Sequence, residues 1–476
     1  MIINENTSDP SVIEKYTERA ARLIESRAAA RGRELKAFVA TFGCQQNEAD
    51  SETLMGQLEK MGCAKAKGID DADIIIYNTC AVREHAELRA LSKTGQLKHM
   101  KEKNPDLIVG LWGCMVSQEH RKETIKQSYP YVDFVAGTNM MHRLPEILCD
   151  VMETGRRRYY VDDSPHIITE GLDVARSGDI SAWLPVMYGC DNFCTYCVVP
   201  YVRGRERSRE PSFILDDARK IIADGYREIT LLGQNVNSYG KGLDGSEKAT
   251  FAKLLSDVCA LDGDFWVRFM TSHPKDASDE LIETIAENPK AAKHFHLPMQ
   301  AGNDEILRRM NRKYTSGDFL KLAEKIKTEI PGVTLTSDII VGFPGETEEQ
   351  FCDTLSMMEK VGFDSVYAFI YSPRSGTPAA KMEDPVSDEE KSERFSRLCA
   401  LESEISEKKC KTLVGTREKL LCTSQTADSN GYLIGRTSGN RTVRFENSVN
   451  DENIYGRFVD VEITRSEKTM LFGKRV

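Results

Sequence analysis

The chain has 476 residues, 40% hydrophobic and 29% charged, the composition of roughly three globular domains and not of a fibre or a disordered chain. Its longest nearly unbroken apolar run, Leu107–Val116, is about half a bilayer span, which excludes a transmembrane helix. The formal charge of −10 argues against nucleic acid coating the whole surface, yet from Lys411 onward eleven Lys and Arg face eight Asp and Glu, so a polyanion could use that end. The opening MIINENTSDP has neither a basic nor an apolar signal region, and a cytoplasmic location is expected.

In chain order, apolar positions Val12, Ile13, Tyr16, Ala20, Leu23 and Ile24 predict one amphipathic helix within 11–35, an extension covering 1–35. KAFVATF, DIIIYN and LIVGLW are short β-rich runs, each followed by a helical pattern, so 36–150 reads as a βαβαβ domain with a parallel sheet. The polar stretch 151–181, with Arg156, Arg157 and Arg158, reads as a linker. Over 182–411 six strand candidates alternate with helices: WLPVMYG, EITLLGQNV, FWVRFMTSH, HFHLPMQAG, TLTSDIIVGF and SVYAFIYS. That pattern predicts a partial TIM-type (β/α)6 barrel, with function at the C-terminal ends of its strands. Ser387 and Glu390 form a capping box that opens a long polar helix to about 411. The remainder, 412–476, reads as a small antiparallel β-barrel of roughly five strands. The fold class is therefore α/β with three domains.

Thirteen cysteines in a reducing compartment are not a disulfide framework, so the informative feature is which of them cluster. Cys190, Cys194 and Cys197 form C-x3-C-x2-C just past the first barrel strand. Closed zinc sites want a fourth ligand, and none is near: no His lies between His166 and His273, and the next cysteine is Cys259. A [4Fe–4S] cluster on three cysteines leaves one iron open, although a zinc site with a distant fourth ligand stays open as an alternative. Cys44, Cys80 and Cys114 each fall directly after one strand of the N-terminal sheet, in FGC, NTC and WGC. Parallel strands open their C-termini onto one edge, so three cysteines at one register can converge there as a second cluster site. Cys63, Cys149, Cys259, Cys352, Cys399, Cys410 and Cys422 share no such pattern and are read as packing residues.

C-x3-C-x2-C with Tyr196 before its last cysteine resembles the signature of radical S-adenosylmethionine enzymes. TFGCQQNEADSE, NTCAVREHAE, LWGCM, CDNFCTYCVVPYVRGRERSR, LLGQNVNSYG and SDIIVGFPGETEEQF resemble the methylthiotransferase branch, from about residue 36 onward, with a TRAM-like end. Gln46, Met299, Ala301 and Ser375 depart from commoner family residues. The resemblance implies two [4Fe–4S] clusters and S-adenosylmethionine as cofactors. It gives Cys190, Cys194 and Cys197 the radical-generating cluster, with Tyr196 near the adenine of S-adenosylmethionine. It gives Cys44, Cys80 and Cys114 an auxiliary cluster that receives a methyl group on sulfur and delivers the methylthio unit. Gly233, Gln234 and Asn235, then Ser272, Asp338 and Gly342, stand where relatives bind the cofactor.

The implied reaction adds a methylthio group to carbon 2 of an isopentenylated adenosine beside the tRNA anticodon, through two cofactor-dependent steps. The partners implied are the tRNA anticodon stem-loop and an electron donor protein, with no membrane, and the chain is expected to be a monomer. Arg203, Arg205, Arg207 and Arg209 alternate, so an extended segment would present them on one face to phosphates. Arg436, Arg441, Arg444 and Arg457, interleaved with Tyr432 and Phe445, suit RNA backbone and base stacking. Three rival readings are methylthiolation of threonylcarbamoyl-adenosine, modification of a ribosomal protein, and a non-catalytic iron–sulfur RNA-binding module.

Overall fold

A computed structural model describes residues 9–161, 167–243, 249–447 and 453–476. The chain divides into two compact units. The first comprises Met1–Gly178, Tyr188–Asp191 and Cys197–Arg209; the second comprises Asp179–Met187, Asn192–Tyr196 and Glu210–Val476. No helix among the described residues is long and apolar enough to cross a membrane.

In the first unit, α1 (Pro10–Arg31) starts where the Asp9 side chain accepts from Ser11 N at 2.9 Å. It stops earlier than its amphipathic pattern suggests because Gly32 turns left-handed, φ 65°. The elements that follow are β1 (Lys36–Phe42), α2 (Gln45–Lys60), β2 (Ala64–Lys65), β3 (Ile74–Thr79), α3 (Glu84–Lys103), β4 (Ile108–Gly113), α4 (Glu119–Ser128), β5 (Phe134–Ala136), α5 (Leu144–Thr154) and β6 (Arg158–Tyr160). The strands form one sheet in the order β2-β1-β3-β4-β5-β6, and every neighbouring pair is parallel. β3 and β4 are buried at every position, which is why IIIYNT and IVGLWG lack polar alternation.

The sheet is thus twice as wide as the three predicted strands. β2 and β5 are too short to carry a periodicity, and β6 lies inside the stretch read as a linker. Arg156, Arg157 and Arg158 make that stretch look solvated, but Arg158 and Tyr160 both bond the Asp150 carboxylate on α5, at 2.5 and 2.8 Å. The linker reading is corrected accordingly at its N-terminal end.

Around the loop that follows β7 (Ser181–Pro185) lie the two-residue strand β8 (Met187–Tyr188), the short helix α6 (Val199–Arg203) and β9 (Arg207–Ser208). The second unit continues with α7 (Pro211–Ala223), β10 (Glu228–Leu232), α8 (Phe251–Cys259), β11 (Trp266–Phe269), α9 (Asp279–Glu287), β12 (His294–His296), α10 (Asp304–Arg309), α11 (Ser316–Glu329), β13 (Thr334–Val341), α12 (Glu348–Val361), β14 (Ser365–Ile370) and α13 (Asp388–Thr412). β7, β10 and β11 pair in parallel, as do β12, β13 and β14, and a parallel bridge from Val267 to Ala291 links the two sets. This is the open six-stranded (β/α) barrel expected from the alternation. Its core is one apolar cluster running from Ala182 to Leu398. The Ser387–Glu390 capping box forms as read, Glu390 N donating to Ser387 Oγ at 3.2 Å.

The C-terminal strands β15 (Arg417–Cys422), β16 (Tyr432–Thr437), β17 (Thr442–Glu446), β18 (Phe458–Glu467) and β19 (Met470–Arg475) close in the order β15-β16-β17-β19-β18. The small barrel of five strands is the one expected; its neighbouring pairs are antiparallel except β17 with β19, which run parallel. Five strands closed in a ring cannot alternate direction all the way round, so one parallel pair is unavoidable.

Candidate iron–sulfur and cofactor site

The sheet brings Cys44, Cys80 and Cys114 to one edge. Phe42 pairs with Thr79, and Thr79 with Gly113, so the residues after β3 and β4 share a register and Cys44 lies one step further on. Backbone bonds continue the ladder into the site: Cys80 N donates to Phe42 O at 3.0 Å and Cys114 N to Thr79 O at 2.9 Å. Gly113 is required immediately before Cys114. Its φ is +102°, and a Cβ there would stand 2.5 Å from both Asn78 Oδ1 and Thr79 O.

A buried amide pair locks the turns. Asn47 Nδ2 donates to Asn78 Oδ1 at 3.1 Å, Asn78 Nδ2 donates back to Asn47 O at 2.8 Å, and Asn47 Oδ1 accepts from the Cys44 thiol at 3.3 Å. Cys44 is exposed and caps α2, whereas Cys80 and Cys114 are buried. The Cys44 thiol is lowered to about 6, first by a hydrogen bond from Cys80 and also by the charge of Arg203. Cys80 is correspondingly raised by the same bond, and burial pushes Cys114 up to about 11. Among the described residues no three Cys, His, Asp or Glu side chains close around a single metal ion.

The other three cysteines are divided between the units, Cys190 and Cys197 in the first and Cys194 in the second. Cys190 follows Gly189, whose φ is +78° and whose Cβ would meet Arg205 O at 2.1 Å. Cys190 N donates to Gly204 O at 3.3 Å. In the second unit, Phe193 takes a left-handed φ of 46°, and Asn311 Nδ2 holds its carbonyl at 2.9 Å. Arg312, buried, donates from Nη1 to Cys194 Sγ at 3.5 Å and from Nη2 to Pro298 O at 2.8 Å. Tyr196 packs beside Phe343 and Tyr371.

At the strand ends of the second unit, Val236 N donates to Thr271 O at 3.0 Å, which brings the loops after β10 and β11 together. Asn235 Nδ2 donates to Asp276 at 2.8 Å, but Asn235 Oδ1 and Ser272 Oγ are buried without a hydrogen-bond partner. Orphaned buried oxygens of this kind call for a ligand donor, and they fit an ammonium group. Gly233 packs on Met187, where a Cβ would come within 2.5 Å, and Gln234 sits between Gly233 and Asn235. Asp338 lies within β13 opposite Tyr367, with His296 Nε2 at 3.4 Å. Gly342 has local reasons of its own: φ is +69°, Lys391 fills the space a Cβ would need, and its N–H donates to Glu346 at 2.8 Å.

The arginines depart most from expectation. Arg203 and Arg209, expected to face phosphates, are buried in ion pairs with Asp50 and Glu170. Arg207 is half-buried and donates to the Arg203 and Arg205 carbonyls; Arg205 alone of the four is exposed, paired with Asp191 at 2.7 Å. The single basic face that alternation implies does not form, because β9 is only two residues long and its surroundings supply buried carboxylates. In the second unit, Arg436 pairs with Glu228 at 2.7 Å, Glu228 also takes Arg268, and Arg268 donates to Thr437 O. Arg441 pairs with Asp364. Both therefore fasten the small barrel to the N-terminal ends of the strands and are not free for RNA. Arg444 remains half-exposed, 3.8 Å from Asp428. Sequence reasoning missed Asp50, Asn47 and Arg312, of which the first two stood inside the quoted TFGCQQNEADSE. Cys352, read as a packing residue, is exposed on α12.

Comparison with known proteins agrees with this layout. The model of the Radical SAM superfamily matches residues 184–358, that of Uncharacterized protein family UPF0004 matches 36–137, and that of the TRAM domain matches 411–476. The tRNA-2-methylthio-N(6)-dimethylallyladenosine synthase of Thermoanaerobacter pseudethanolicus is 45% identical over 94% of both chains. The protein of that name from Clostridium botulinum (strain Okra) is 47% identical over 92% of this chain and 96% of its own. Among solved structures, the radical S-adenosylmethionine methyltransferase TsrM from Kitasatospora setae shares the fold at 14% identity, with a TM-score of 0.53 over 72% of this chain and 75% of that one. The chain belongs to the family of tRNA-2-methylthio-N(6)-dimethylallyladenosine synthases, within the radical SAM superfamily.

Proposed function

We infer that this chain adds a methylthio group to carbon 2 of an isopentenylated adenosine next to the tRNA anticodon. The observation that carries the reading is the near full-length identity to relatives of that name, and the two cysteine trios of the sequence support it. Cys190, Cys194 and Cys197 would hold one [4Fe–4S] cluster, and Cys44, Cys80 and Cys114 a second. When bound, these clusters and S-adenosylmethionine would supply sulfur and the radical abstraction of a hydrogen that acid–base side chains cannot usefully deprotonate.

The chain's own residues orient and enclose. Asn235 Oδ1 and Ser272 Oγ would offer buried acceptors to the ammonium group of S-adenosylmethionine, and Tyr196 would stand near its adenine. Arg312, just past the C-terminal end of α10, donates to Cys194 and braces the ligand loop. Gly189 and Gly113 let the backbone turn directly ahead of a ligand cysteine. The Asn47–Asn78 amide pair keeps the strand-end turns in register, where a solvated loop would let them drift. RNA contact falls to cations such as the exposed Arg205 and the half-exposed Arg444, and electrons come from a donor protein.

The test is anaerobic turnover with S-adenosylmethionine and a reductant, offering an isopentenylated anticodon stem-loop, a threonylcarbamoylated one and ribosomal protein. Methylthiolation of the isopentenylated RNA is expected. Modification of only the protein or only the threonylcarbamoylated RNA would overturn the reading.

A further inference from the structure

The cysteines of the sheet edge share their surroundings with a single buried ion pair. Arg203, at the end of α6, is 5% exposed and Asp50 on α2 is 7% exposed, and Arg203 Nη2 donates to Asp50 Oδ2 at 2.8 Å. The same guanidinium lies near enough to the Cys44 and Cys114 thiols for its charge to act on both. Its approach is fixed from both sides. Val198 and Val202, from the same short stretch, pack against Cys114 and Ala81, and Thr138 Oγ1 donates to Val202 O at 2.9 Å.

Dehydrating a guanidinium costs several kcal/mol even after relaxation, and one carboxylate leaves the pair merely neutral. Nothing in an apo sheet edge needs that charge, because β3, β4 and their turns are held by backbone bonds and by Asn47 and Asn78. A cage held by three thiolates carries negative charge, and a reduced cage carries more. A fixed cation beside the ligand sulfurs stabilises the reduced form most, because cluster potentials respond to the charge around the cage.

We propose that Arg203 raises the reduction potential of the cage held by Cys44, Cys80 and Cys114, and that Asp50 orients Arg203 while partly offsetting its charge. Arg203 is a positioning residue for that cage, not a phosphate ligand. The inference rests on the reading of the three cysteines as cluster ligands.

The experiment uses the full-length chain with Cys190, Cys194 and Cys197 replaced by Ala, reconstituted anaerobically with iron and sulfide, so that only the sheet-edge cage titrates. Its midpoint is followed by EPR during redox titration. Arg203→Gln is expected to lower the potential so that the reduced-to-oxidised ratio at fixed ambient potential falls about tenfold, or about 59 mV for one electron. Asp50→Asn, which leaves the cation uncompensated, shifts the ratio in the opposite sense, and Arg203→Lys stays within about threefold of the parent. Equal potentials in all variants, or shifts of the same sign in Arg203→Gln and Asp50→Asn, overturn the proposal, since a merely structural role cannot give opposite signs. If Arg203→Gln takes up no iron, Arg203→Lys decides: loading at the parent's potential supports the role of charge, and failure to load overturns it. A parent that itself binds no iron would refute the reading of Cys44, Cys80 and Cys114 before any Arg203 variant is measured.

Discussion

The two cysteine trios reach similar ends by opposite routes. Cys190, Cys194 and Cys197 sit within one loop, and their spacing exists before the chain folds. Cys44, Cys80 and Cys114 come from three separate turns, and only the parallel register Phe42–Thr79–Gly113 brings them together. Closing two long segments costs loop entropy that the unfolded chain cannot recover from thiols alone. The sheet-edge site is thus a property of the folded domain, whereas the loop site is a property of a short peptide braced by Arg312 and Asn311. Both nevertheless use a left-handed glycine directly before a cysteine, Gly113 in one and Gly189 in the other.

The sharpest way to break this contrast is to remove one trio at a time. Replacing Cys190, Cys194 and Cys197 by Ala is expected to abolish both methylthiolation and reductive cleavage of S-adenosylmethionine. Replacing Cys44, Cys80 and Cys114 should abolish methylthiolation while 5′-deoxyadenosine is still released, measured by chromatography. Loss of cleavage in the second variant would mean that the sites are not separable.

The glycines come next. Gly113→Ala forces a positive φ and an overlap with Asn78 and Thr79, and should destabilise the first unit by about 3 kcal/mol or more in denaturant titration. Gly189→Ala strains only a loop, so the expected loss is about 1–3 kcal/mol, with the larger effect on iron retention. Equal losses of stability would say that the loop is as deeply built as the sheet.

A smaller contrast lies in acid stability. In the first unit, burial and then Arg143 lower His142 from 6.5 to about 4. In the second, burial and then Arg312 lower His273 to about 2, and burial and then Arg268 lower His294 to about 3. A depressed histidine means that the folded state binds fewer protons than the unfolded one, so its contribution is complete above pH 6.5 and is lost as pH falls. His142→Asn should flatten the pH dependence of stability between 6.5 and about 4 by at most about 1.4 kcal/mol per pH unit. The second unit's dependence continues to lower pH. An unchanged slope in His142→Asn would contradict its neutral burial.

The weakest effect belongs to the surface. Arg205→Ala breaks an exposed pair with Asp191 and should leave the denaturation midpoint almost unmoved. If Arg205 touches a phosphate, the salt dependence of tRNA binding should fall by roughly one counterion; no change in that slope removes it from the RNA interface.

Much of the molecule was legible in its residues, and the exceptions have a common cause. Strands buried on both faces, IIIYNT and IVGLWG, announce themselves as apolar runs, and the shared edge of Cys44, Cys80 and Cys114 follows from their strand-end positions. β5 and β6 escaped because three-residue strands leave no periodicity, and because Arg158 looks solvated until Asp150 is placed beside it. The arginines were misread for the same reason. A basic run in sequence looks like a surface for polyanions, yet Asp50, Glu170, Glu228 and Asp364 are supplied by segments distant in sequence. Charge pairing across tertiary distance is invisible to local patterns, whereas covalent spacing is not.

The most direct test of two separate cages is iron and sulfide determination on anaerobically reconstituted protein. The intact chain should bind about eight of each, and the Cys44→Ala/Cys80→Ala/Cys114→Ala variant about four. Full retention of iron in that variant would contradict a cage at the sheet edge.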